Sequence, residues 1–197
     1  MVSAAAHATR SSTDYFPLKQ GNSWKYAVTG GVAPTDVATV TNVTHDKNGT
    51  TVTVTWQSDG KKVIYQSNSH SLSVLDARER PPLMPILRYP VKSGAKWTWK
   101  SQSTTAFGQV IPETWIMMVN GPTTIKTPAG AFQAMHVHSE MKLSKPLRIG
   151  PVGPPGMEFA THQSIDYWYA KGVGLVQEKF SSGSEFVLTK LVSYTLK

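Results

Sequence analysis

The stretch His136-Val137-His138-Ser139-Glu140 sets two imidazoles and a carboxylate at alternate positions. On an extended strand such positions share one face. His136, His138 and Glu140 together are a donor set suited to a divalent cation such as Zn²⁺. His162, or Asp166, could complete the set if its strand pairs with this one as a hairpin. The competing arrangement turns Met135 and Val137 to the core and leaves the three polar residues on a solvated face. A second row alternates through His162, Ser164, Asp166 and Trp168, with Tyr167 and Tyr169 in the opposite phase. Polar groups ending on an indole form a candidate ligand-binding face if that side of the sheet is concave. Glu113, Glu140, Glu158 and Asp166 are candidates for a two-carboxylate pair that only the fold could assemble. Nucleophilic catalysis has no comparable support: there is no G-x-S-x-G elbow, and Ser182 reads as a hairpin tip. Gly172-Val173-Gly174 lacks the following helix that would make an anion site.

The elements that must position these residues are strands. The 21 threonines, 19 valines and 19 aromatic residues favour pleated, half-buried surfaces. Val52, Val54 and Trp56 alternate with Thr51, Thr53 and Thr55, and the same period of two recurs at Trp24/Tyr26/Val28, Trp97/Trp99 and Trp115/Met117/Val119. Turn signals at Lys47-Asn48-Gly49, Ser58-Asp59-Gly60, Asn120-Gly121-Pro122 and Ser181-Ser182-Gly183 punctuate the runs. The pattern predicts about eleven strands in an all-β, curved antiparallel meander with little helix, any helix being short and near 76–88. The chain has no cysteine, which excludes disulfide frameworks, thiolate metal sites and a cysteine nucleophile. No apolar run approaches the ~18 residues that cross a bilayer as a helix.

Residues 15–26, YFPLKQGNSWKY, align without gaps on residues 88–99, RYPVKSGAKWTW. Both place proline before an aliphatic residue and lysine, then glycine, then Trp-x-aromatic on one strand face. The repeat divides a single β-domain, 15–197, into halves 15–87 and 88–197, preceded by a disordered segment 1–14. In that segment Ala6-His7-Ala8 also fits the tail of a removed export signal. The proline-rich Arg78–Pro85 connects the halves, and Gly150–Gly156 reads as a stiff surface loop.

Four segments, FPLKQGNSW (16–24), YPVKSGAKW (89–97), TPAGAFQAMHV (127–137) and YWYAKGVGLVQ (167–177), occur in series. Together they resemble a group of bacterial exported and lipoprotein-like β-domains. The resemblance implies an open barrel or roll similar to the periplasmic lipoprotein-carrier fold. It also implies a secreted or periplasmic location in the envelope, and it carries no shared reaction. A lipobox cysteine is lacking, so a lipid anchor is not implied.

The formal net charge is +8. It is concentrated in Arg78, Arg80, Arg88, Lys92, Lys96 and Lys100, with Lys142, Lys145 and Arg148 as a second cluster. Such segments suit an anionic envelope component or keep the protein soluble. Nucleic acid is not expected, because no reading helix, zinc module or RNP-type motif is present. The leading expectation is a non-catalytic exported β-domain that binds a small hydrophobic or amphipathic molecule and needs no cofactor. The alternatives are a metal-dependent, hydrolase-like enzyme on the His136/His138 face and a structural or assembly module.

Overall fold

The computed structural model describes residues 15–76, 83–104, 110–143 and 162–197. The 1–14 segment, the 150–156 loop, most of the proline-rich connector, Glu158, Lys145 and Arg148 lie outside the described residues. Twelve strands follow in chain order: β1 (Ser23–Thr29), β2 (Thr35–Asp46), β3 (Gly49–Trp56), β4 (Lys62–Ser67), β5 (Ser71–Asp76), β6 (Met84–Arg88), β7 (Lys96–Thr104), β8 (Val110–Thr127), β9 (Gly130–Leu143), β10 (His162–Ala170), β11 (Gly174–Ser182) and β12 (Glu185–Thr195). They form one sheet in the order β6-β5-β4-β3-β2-β1-β12-β11-β10-β9-β8-β7. Every recorded pair is antiparallel. The sheet curls into a nearly closed barrel with one unsealed seam, between β6 and β7.

The alternation explains the two faces. Val52 and Val54 of β3 are buried, while Thr41 and Thr55 meet outside through their hydroxyls at 3.0 Å. The two aligned openings fold alike. Gly21 N–H donates to Val40 O, and Val40 N–H donates back to Asn22 O. Gly94, Val119 and Ala95 repeat that exchange. Gly21 and Gly94 have φ of 83° and 79°, a left-handed conformation that glycine adopts without strain. Trp24 and Trp97 then enter the core, each donating its indole N–H to a carbonyl: Val173 O at 2.7 Å and Pro85 O at 2.8 Å.

Two expectations are corrected. Asn120-Gly121-Pro122 is not a turn; β8 runs through it and absorbs the extra residue as a bulge between Val119 and Gly121. Gly121 at φ 111° supplies the conformation, and a bulge tolerates the proline that follows. Nor is there a helix near 76–88 among the described residues: β5 extends to Asp76, and Met84–Arg88 is the strand β6. Pro85 is acceptable there because β6 has a single hydrogen-bonded neighbour, β5.

Phe16 stacks on Trp24 (5.3 Å) and Tyr65 (4.8 Å), with Tyr169 edge-on at 6.4 Å. Buried Asn22 joins the segment before β1 to the C-terminal residue, donating to Pro17 O and accepting from Lys197 N–H, each at 2.8 Å. At the seam the tie comes from side chains. Trp97 of β7 bonds Pro85 of β6, and the Arg88 guanidinium lies 5.7 Å from the Trp97 ring centroid. Trp97→Phe keeps the ring and deletes the donor, so it should cost about 1 kcal/mol in urea unfolding. An unchanged midpoint would show that the seam is held without this bond.

Candidate functional site

The register of β9 against β10 assembles the polar residues singled out from the sequence on the outside of the barrel. Trp168 lies opposite His136, Asp166 opposite His138, and Ser164 opposite Glu140. Asp166 Oδ1 receives both imidazoles, His136 Nε2 at 2.7 Å and His138 Nδ1 at 2.8 Å. An ionised carboxylate only accepts, so both ring nitrogens donate. This fixes the acceptor role of His136 Nδ1, which takes the Asn120 amide N–H at 3.1 Å. Trp168 stacks flat on His136, with centroids 4.6 Å apart and planes 5° apart. Glu140 turns the other way, to His162 Nε2 at 3.1 Å and Lys142 Nζ at 4.0 Å. The donor set thus divides into a His–Asp–His unit and a Glu–His pair. Among the described residues no group of three or more histidine, aspartate or glutamate side chains is placed to hold a metal ion.

The concave face of β10 carries the opposite phase: Gln163, Ile165, Tyr167 and Tyr169. They line a cavity of about 850 Å³ inside the barrel, to which β2 through β11 all contribute. Its wall combines the rings of Trp56, Tyr65, Trp99, Trp115, Tyr167 and Phe180 with aliphatic side chains and methionines and with an equal share of polar surface. The polar groups are Asp36, Asp59, Lys61, Ser101, Gln102, Glu113, Gln163 and Glu178. Glu113 Oε2 accepts from Ser101 Oγ (3.2 Å) and Trp115 Nε1 (3.3 Å). Asp36 accepts from the backbone N–H of Val37 and from both the N–H and hydroxyl of Ser58. Asp59 accepts from Lys61 N–H.

Glu178 is the exception. No hydrogen-bond donor among the described residues reaches its carboxyl. Burial raises its pKa from 4.5 to about 7, a rise that the nearby Lys61 charge moderates. Burial likewise holds the Tyr26, Tyr65 and Tyr169 hydroxyls well above the ordinary tyrosine value. Trp99 Nε1 is buried with no acceptor among the described residues.

Sequence reasoning did not select Glu178, although a signal exists. It stands in period two between Val176 and Phe180, a carboxylate in an apolar phase. Alternation separates inside from outside but not a filled interior from a hollow one, so the cavity itself leaves no mark in the pattern.

No protein-family model and no curated protein matches the chain. Solved structures do match in fold. A protein designated as exported, with a YmcC-like fold, from Bacteroides fragilis aligns over 92% of this chain and 99% of its own, with TM-score 0.55 and 16% identity. One designated a lipoprotein, from Parabacteroides distasonis, aligns over 92% of this chain and 98% of its own, with TM-score 0.57 and 13% identity. At such identities the likeness is one of fold.

Proposed function

We propose that this protein is a non-catalytic, exported β-domain of the bacterial envelope whose barrel interior binds a small hydrophobic or amphipathic molecule. The observation that carries the reading is the cavity. Its volume of about 850 Å³ and its lining, in which seven aromatic and seven aliphatic or methionine side chains are mixed with eight polar or charged ones, suit an amphipathic ligand. The words exported and lipoprotein, carried by the two structural neighbours, support an envelope location, as does the resemblance of the four sequence segments.

The test uses a neutral fluorescent apolar probe, N-phenyl-1-naphthylamine, with the full chain. Wild-type protein is expected to bind it saturably with a blue-shifted emission. Ile165→Trp, which fills the cavity from β10, is expected to abolish the signal while retaining a cooperative melting transition. Equal probe binding by that folded variant would remove the cavity from consideration. Native mass spectrometry of gently purified protein is expected to show a co-purified small-molecule adduct that the same variant loses.

A further inference from the structure

The cavity is acidic inside a basic protein. Four carboxyls, Asp36, Asp59, Glu113 and Glu178, face a single lysine, Lys61, whereas the chain as a whole carries a formal charge of +8. Three of the four carboxyls are occupied by N–H or O–H donors of their own neighbourhood. Glu178 has no such donor and sits among rings. Tyr167 lies directly opposite it in the β10–β11 register, and Tyr26, Tyr65 and Tyr169 are near enough to feel its charge. Partial burial disfavours the charged form of this carboxyl, and Lys61 is the one lysine that lines the cavity with it. A cation placed beside it recovers the electrostatic loss and gains from the negative faces of the surrounding rings.

Building on the reading that the cavity takes an amphipathic guest, we infer that the guest is a cation, an apolar molecule bearing an amine or quaternary ammonium group that Glu178 and its tyrosines receive. The polar outer face of β9 and β10 takes no part. The basic residues Arg88, Lys92, Lys96 and Lys100 do not line the cavity. An anionic amphiphile would set its own charge against this carboxyl.

Three probes of equal chain length separate the possibilities: decyltrimethylammonium, 1-decanol and decanoate, each below its micellar concentration, titrated calorimetrically into the full chain at pH 8. The ammonium is expected to bind at least about tenfold more tightly than the alcohol, and decanoate most weakly. Glu178→Gln is expected to remove the ammonium's advantage and leave the alcohol within about twofold. In the wild type, lowering the pH from 8 to 5.5 protonates Glu178 and should weaken the ammonium alone, which keeps the test independent of the variant. Lys61 faces Glu178 from the β3–β4 turn, and Tyr26, Tyr65, Tyr167 and Tyr169 face it from β1, β4 and β10. No histidine lines the cavity among the described residues. Alcohol binding as tight as the ammonium's, or ammonium affinity undiminished in Glu178→Gln, would overturn the cation assignment and leave the cavity an amphiphile site. Failure of all three probes to bind would overturn both.

Discussion

Glu178→Gln is expected to stabilise the ligand-free protein above pH 7 by ~3 kcal/mol and to leave it unchanged near pH 4. The folded-state pKa of about 7 lies above the ordinary 4.5 because burial disfavours the charged form. Below 4.5 the carboxyl is protonated in both the folded and unfolded chain, so it contributes no difference. Between 4.5 and 7 the folded protein retains a proton that the unfolded chain has released. Wild-type stability therefore falls with rising pH across this window and levels off above it. Glutamine is neutral throughout and lacks the fall. Urea unfolding of both proteins at pH 4, 6 and 8 reads the effect directly. Parallel curves at all three values would show a fully hydrated carboxyl. A residue that weakens the fold at neutral pH, in a position where glutamine would fit, has the character of a functional group.

Trp24→Ala should have a larger cost, about 3–5 kcal/mol. The ring is 1% exposed, stacks on Phe16 and donates to Val173 O. Alanine removes the indole volume from the core and orphans the carbonyl in the β10–β11 turn. Trp24→Phe separates the two contributions, since it retains a ring and loses only the donor, for about 1–2 kcal/mol. The check is the denaturation midpoint of each variant. A loss below 1 kcal/mol in the alanine variant would mean that Phe16 and Tyr169 close the gap unaided.

The all-β meander was legible because period two is a property of single residues in order: Val52 and Val54 in, Thr51 and Thr53 out. The turn at 120–122 was misread because Asn-Gly-Pro satisfies a hairpin and a bulge equally. The choice belongs to β9, which pairs without interruption from Gly130 to Leu143 and so holds β8 as one long strand. The β6 strand was hidden by Pro85 and the prolines just before it, of which an edge position permits Pro85. Of the candidate residues, the mutual approach of His136, His138 and Asp166 follows from i, i+2 geometry once the hairpin register is known. Their sharing of a single carboxylate oxygen does not, because side-chain rotation is not written in spacing. Curvature was the decisive missing quantity. It makes the Trp168 face convex and the Tyr167/Tyr169 face the wall of a cavity.

The seam carries a mechanical consequence. In a barrel closed all round by ladder hydrogen bonds, the girth is set by strand number and stagger, and widening it means breaking a whole ladder. Here, among the described residues, β6 and β7 share no ladder and are joined by the Trp97 indole N–H and by the Arg88 guanidinium near its ring. Sliding these two strand edges would change the girth of the barrel with all eleven ladders intact. The protein is in this respect a split ring rather than a hoop.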